Sequence, residues 1–402
     1  MNWEAMKRKY AYTLARVGLN VQPGQPVLVE AAIEGASFTP IFAEECYKLG
    51  ASNVIVHYLD EPNMKIAAKY RSDADIRRVE DWERAQNEMY LEQGACYVRL
   101  EGVNPKLMED VPEAHANAIF AHIDEVRNIM RKASREKHCQ WLIAMIPTQE
   151  WAEYILKDTP KEDALEELWK IVLKLCYIDE ENDPVETWEN LSKQRAEKGR
   201  KIDAYNFTKL HYTAESNGTD FTVPLTPYSK FHYDGPARSI VFHANIPSEE
   251  ICTSPEKFGA EGVIYASRPL VLGGKSIENF GFRFENGKVV EVLANEGKEM
   301  LEALITMDEN AGYLGEVALV DYHSPISMSG LVYYTTLIDE NASCHLALGR
   351  ALGGQLPKDS PWTLNDSTIH IDFMVGTPDL HITGTTPAGE EVVVFNEGDF
   401  VL

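Results

Sequence analysis

Residues 25–146 alternate short apolar runs with helix-length amphipathic stretches, and that alternation constrains the fold more than any other feature. Gln25–Glu30 follows a Pro-Gly turn and reads as a buried strand. Ala36–Leu49, closed by Gly50, reads as a helix, and Asn53–Tyr58 as the next strand. Helical patterns near 62–71 and 80–93 lead to a third strand at Ala95–Leu100. A long helical pattern over 112–136 precedes a fourth at Trp141–Ile146. A strand–helix–strand order of this kind predicts an open, mostly parallel sheet with helices on both faces.

The pattern changes after residue 180. Leu165, Leu168, Trp169, Val172 and Leu175 recur at helical spacing and predict a core-facing helix over 160–178. Residues 179–203 are highly charged, contain Pro184, and read as a surface helix or connector. Beyond them glycine and proline become frequent and β-like runs dominate, as in Phe221–Leu225, Lys288–Leu293, Val317–Val320 and Val392–Phe395. The expected class is therefore α/β in two parts. Residues 1–190 form an N-terminal open, mostly parallel α/β sheet domain. Residues 191–402 form a C-terminal α+β domain with twisted or barrel-like sheet.

Composition narrows the function. Lysine and arginine total 38 against 63 aspartates and glutamates, a formal charge of −25. Nucleic-acid binding needs a basic footprint, so that class is excluded, as is docking on anionic lipid. An acidic protein attracts cations, including metal ions and amine-bearing substrates. No apolar run is long enough to span a membrane, and no apolar segment follows the first basic residues. The six cysteines are scattered with no CxxC pair, so free thiols in a cytoplasmic protein are expected. GxGxxG, HExxH and GxSxG are absent, which removes dinucleotide, zincin and hydrolase-elbow readings.

Four stretches of the second half carry candidate histidine and carboxylate ligands. In the run 367–376, strand alternation puts Ile369, Ile371 and Phe373 on one face and His370 and Asp372 on the other, about 7 Å apart. Such a pair can ligate a metal or form a hydrogen-bonded pair in the core. Asp339, Glu340 and His345 lie where an extended run is expected to turn into a helix capped by Asn341 or Ser343. Glu249 and Glu250 sit in a turn-rich stretch. Glu316 enters an apolar strand, where an unpaired carboxylate is costly and a metal removes the cost.

Taken in order, NIPSEE (245–250), KSIENF (275–280), GEVALV (315–320), DENASCHLALG (339–349) and HIDFMVG (370–376) resemble the M29 metallo-aminopeptidases, the aminopeptidase T and aminopeptidase S (PepS-like) group. The resemblance implies two divalent ions, zinc, cobalt or manganese, and removal of N-terminal amino acids from peptides with a free N-terminus. It implies metal ligands at Glu250, Glu316, His345, His370 and Asp372, with Glu340 as a sixth. Glu316 would bridge the ions or act as general base for a metal-activated water. It also implies a homodimer. One position departs from the family: a tyrosine expected in a Gly-x-Ala-Tyr pattern is Leu352 here, and the loop 352–369 is short. That departure keeps two other readings open, a catalytically weakened pseudoenzyme and a different metal-dependent amide hydrolase.

Overall fold

A computed structural model describes the chain apart from Met1 and residues 103, 105–106, 109, 137, 232–239, 273–274 and 353–355, and apart from the side chains of 113, 134 and 135. The chain divides into two compact units. One is Met1–Asn190 with Asp234–Pro247, and the other is Leu191–Tyr233 with Ser248–Leu402.

The first unit is the expected parallel sheet. Its strands are β1 (Pro26–Ala32), β2 (Asn53–Leu59), β3 (Cys96–Glu101) and β4 (Trp141–Met145), in the order β2-β1-β3-β4. All pairs are parallel, and a short strand at Asn245–Ile246 extends the sheet beside β4. That added pair explains why the segment ending at Pro247 belongs to this unit. Central β1 is buried at six of its seven positions, as a strand covered on both faces must be. The helix Glu113–Arg135 covers one face, with Met130 and Ala133 against Leu28. The stretch 179–203 is resolved in favour of a helix, Pro184–Tyr205.

The second unit is built from antiparallel sheets. Eight strands form one sheet that starts at Lys288–Ala294 and ends at Asp399–Phe400. These two end strands do not pair, so among the described residues the sheet does not close into a barrel. A second sheet has four strands in the order His370–Met374, His345–Gly349, Leu314–Leu319 and Ile251–Thr253. The two sheets share one apolar core. Phe282 meets Phe373 edge-on with ring centroids 5.2 Å apart, a favoured aromatic arrangement. Leu346, Leu348 and Val317 join this core from the small sheet.

The structure corrects one local expectation. His345–Gly349 is a strand, not the start of a helix. It lies between two antiparallel neighbours and all five residues are buried, so the apolar run has the character of a central strand. The helical turns come earlier, at Thr336–Asp339 and Glu340–Ala342. Among the described residues no helix is long and apolar enough to cross a membrane, and all six cysteines are free.

Candidate metal centre

The two faces of the four-stranded sheet have opposite chemistry. On the core side stand Val317, Leu346 and Phe373, aligned by register. Strand alternation sends Glu316, His345, Ala347, His370 and Asp372 to the other side. Ala347 lies opposite both Glu316 and Asp372, and its methyl group leaves room above the middle of the sheet.

Glu316 reaches that side because of a bulge. Leu314 pairs with Leu348, yet Glu316 pairs with Ala347, so two residues of one strand oppose one of the other. Gly315 is the extra residue. A Cβ on it would lie 2.3 Å from the Arg350 carbonyl oxygen, so only glycine permits the close approach. Without the bulge, Glu316 would share the core face with Leu314.

Two three-residue groups result, each compact enough to hold a metal ion: Glu250, Glu316 and His345, and Glu316, His370 and Asp372. Glu316 belongs to both. Its Oε2 lies 3.0 Å from His370 Nε2, and its Oε1 lies 3.9 Å from His345 Nε2. Glu250 stands 3.1 Å from His345 Nε2, and Asp372 stands 3.4 Å from His370 Nε2.

The far nitrogen of each histidine decides what the near one can do. His370 Nδ1 lies 2.6 Å from the Arg350 carbonyl, and His345 Nδ1 lies 3.3 Å from the Ser343 carbonyl. A carbonyl only accepts, so each Nδ1 carries a proton and donates. Each Nε2 then faces carboxylate oxygens and needs a second proton or a cation between them. This is the outer support that metal-ligating histidines show.

Electrostatics points the same way. Burial disfavours a charged ring at His345, but the hydrogen bond to Glu250 and the charges of Glu316 and Asp372 outweigh it and push it up to about 10. At His370, burial is outweighed by Asp372 and Glu316, which push it up to about 11. Burial raises Glu316, and repulsion from Asp372 and Glu250 adds to it against the pull of His370. Glu340 is pushed well above the usual carboxyl range, first by burial and then by Asp372 and Glu250. For Asp372 burial is overcome by the His370 bond, which lowers it. A site that crowds carboxylates and draws protons onto imidazoles is one that favours a bound cation.

Glu340 is close enough to feel these charges but belongs to neither three-residue group. Its Oε1 accepts from Asn341 Nδ2 at 3.4 Å. Asp339 belongs to neither group, and its carboxylate accepts from the Tyr333 and Thr335 backbone N–H groups. The Glu249 backbone is tied to Asn341, and its neighbour Ser248 accepts from Arg195. KSIENF contributes to neither group; its first residues form the strand Lys275–Ile277, paired antiparallel with Leu270–Leu272.

Two neighbours escaped the sequence reading. Cys252 pairs with Ala318, which puts its thiol on the metal-facing side, and burial together with Glu250 and Glu316 raises it well above the usual thiol range. The signal was available, since Cys252 is two residues beyond Glu250 and strand alternation pairs them on a face. Asn341, a helix-cap candidate by sequence, instead bonds the Glu249 backbone and the Leu337 carbonyl. Leu352 is 43% exposed, and its backbone N–H donates to Ser254 Oγ. Part of the loop expected to be short, 353–355, lies outside the described residues. Tyr333 donates its hydroxyl to Ser329 Oγ at 2.8 Å.

Comparison with known proteins places this geometry in context. The model of the thermophilic metalloprotease family M29 matches residues 4–400. Aminopeptidase AmpS of Bacillus subtilis (strain 168) is 33% identical over 404 residues, covering 97% of each chain. Aminopeptidase 2 of Geobacillus stearothermophilus is 34% identical over 410 residues, covering 99% of this chain and 98% of that one. The solved structure of wild-type AmpT from Thermus thermophilus superposes with a TM-score of 0.92 at 30% identity over the whole of both chains.

Proposed function

The chain belongs to the M29 family of metalloproteases and is a peptide-bond hydrolase, and from that premise we propose that it is an aminopeptidase working through a dinuclear metal centre. The observation that carries the reading is Glu316, shared by two histidine–carboxylate groups. Imidazole and carboxylate donors suit zinc, cobalt or manganese. Four carboxylates, Glu250, Glu316, Glu340 and Asp372, balance the charge of two divalent ions.

Glu250, Glu316, His345, His370 and Asp372 would hold the ions, which when bound would supply Lewis acidity and a water of lowered pKa. The chain supplies the rest. His345 and His370 present Nε2 while backbone carbonyls hold their rings in orientation. Glu316 spans both groups, and Glu250 and Asp372 complete them. Glu340 stands beside them as a sixth donor for the ions, its Oε1 accepting from Asn341 Nδ2. The net charge of −25 on the whole chain favours substrates that carry an amine. Assembly as a homodimer is part of the proposal, and sedimentation measures it directly.

Hydrolysis of a panel of aminoacyl chromogenic substrates, after loading with cobalt, zinc or manganese, tests the proposal. Turnover should require both metal and a free α-amine. Equal turnover of amine-blocked substrates would instead support a general amide hydrolase. Leu352 favours a second reading, a metal-binding protein with little catalysis, because leucine cannot donate a hydrogen bond to a developing oxyanion. Full metal loading without turnover on any substrate is the result that reading requires.

A further inference from the structure

We infer that Asn341 is a positioning residue that locks the Glu250 turn to the Glu340 turn, an inference that rests on the reading of the site as a metal centre. Asn341 is fully buried. Its Oδ1 accepts from the Glu249 backbone N–H at 2.7 Å, 92 residues away in sequence. Its Nδ2 donates to the Leu337 carbonyl at 3.1 Å and to Glu340 Oε1 at 3.4 Å. The amide can point only one way. An N–H needs the oxygen and a carbonyl needs the NH₂, so a flipped side chain would break both contacts.

One side chain therefore touches the backbone directly before Glu250 and the carboxylate of Glu340. These two carboxylates come from different parts of the chain, 90 positions apart, and the Asn341 side chain bonds beside both. Asn341 is the neutral group set between the two turns. Aspartate has the same shape and keeps the acceptor for Glu249. It would, however, turn an oxygen toward Glu340 and the Leu337 carbonyl in place of a donor. Outer partners of metal sites typically cost about 10- to 100-fold in metal affinity or activity when lost.

The experiment compares wild type, Asn341→Asp, Glu340→Gln and the double variant as full chains. Cobalt(II) titration is followed by visible absorption, and kcat and KM are measured on an aminoacyl chromogenic substrate. Asn341→Asp should weaken cobalt binding about 10- to 100-fold and lower kcat with little change in KM. In the Glu340→Gln background the same substitution should do distinctly less, because the carboxylate that it repels is gone. A folded Asn341→Asp with wild-type titration and kcat overturns the inference. So does an equal loss in both backgrounds, which would mark a purely structural residue. Thermal unfolding in chelator reports the fold; if the aspartate variant does not fold, Asn341→Ala, which removes the bonds to Glu249 and Glu340, should still weaken cobalt binding, and wild-type titration by it overturns the inference. Wild type that binds no cobalt would defeat the metal-centre reading instead, a separate outcome.

Discussion

The Glu316 carboxylate lies 3.0 Å from His370 Nε2, reaching past the intervening His345 strand. Both side chains stand on the polar face of a sheet whose other face is core. Removing either should leave the remaining groups without a full set of metal donors.

His370→Ala should therefore lose one of the two ions and almost all turnover. The drop in rate should exceed the roughly 10- to 100-fold typical of losing an outer partner. Elemental analysis of dialysed protein alongside steady-state kinetics checks both halves. Full metal content at the wild-type rate would show that the centre lies elsewhere.

Gly315→Ala should disturb the bulge that aims Glu316. The added methyl would meet the Arg350 carbonyl oxygen at 2.3 Å, and Arg350 is the residue that holds His370 Nδ1. Overpacking of this sort costs about 1–3 kcal/mol. Urea unfolding should show a lower midpoint, and cobalt loading should weaken in parallel. Unchanged loading would mean that the strand can bend without moving Glu316.

A titration in the first unit is expected far from the metal centre. Burial, with Glu34 and Glu150 adding repulsion, pushes Glu61 up to about 7. A carboxyl whose pKa rises on folding stabilises the fold below its unfolded value, near 4.5. That contribution is lost as pH climbs through about 7. Glu61→Gln should thus match wild type at pH 4 and exceed its Tm at pH 8. The gap should be about 2–4 °C, the shift expected for roughly 1 kcal/mol. Parallel pH–Tm curves for the two proteins would show that Glu61 is not destabilised by burial.

Leu352→Tyr should raise kcat with little effect on KM. Loss of one donor to a developing oxyanion costs roughly 100- to 1,000-fold elsewhere, which bounds the gain. Chromogenic assays of both proteins at full metal loading decide the matter. An unaffected kcat would show that catalysis here does not use a hydroxyl at 352.

The parallel sheet of the first unit was readable because each element carries its own period. Short apolar runs mark β1 to β4, and the stripe from Leu168 to Leu175 marks a buried helix face. His370 and Asp372 were readable for the same reason, since alternation on one strand needs no partner. His345 was misplaced on a helix because Leu-Ala-Leu suits a helix as well as a buried strand. Only flanking pairs settle which one forms.

What the sequence determined alone is therefore local: residue types, strand faces, a strongly acidic balance, and ordered blocks specific enough to identify the family. The tertiary structure decided which carboxylates meet. Glu316 turns away from the core through a bulge that depends on the neighbouring strand's backbone at Arg350. Glu250 reaches His345 across 95 positions, and Asn341 joins the two turns that carry Glu250 and Glu340. Periodicity reports the side on which a residue lies within its own strand. Register, bulges and long-range hydrogen bonds come from pairing with distant backbone, and no single segment encodes them.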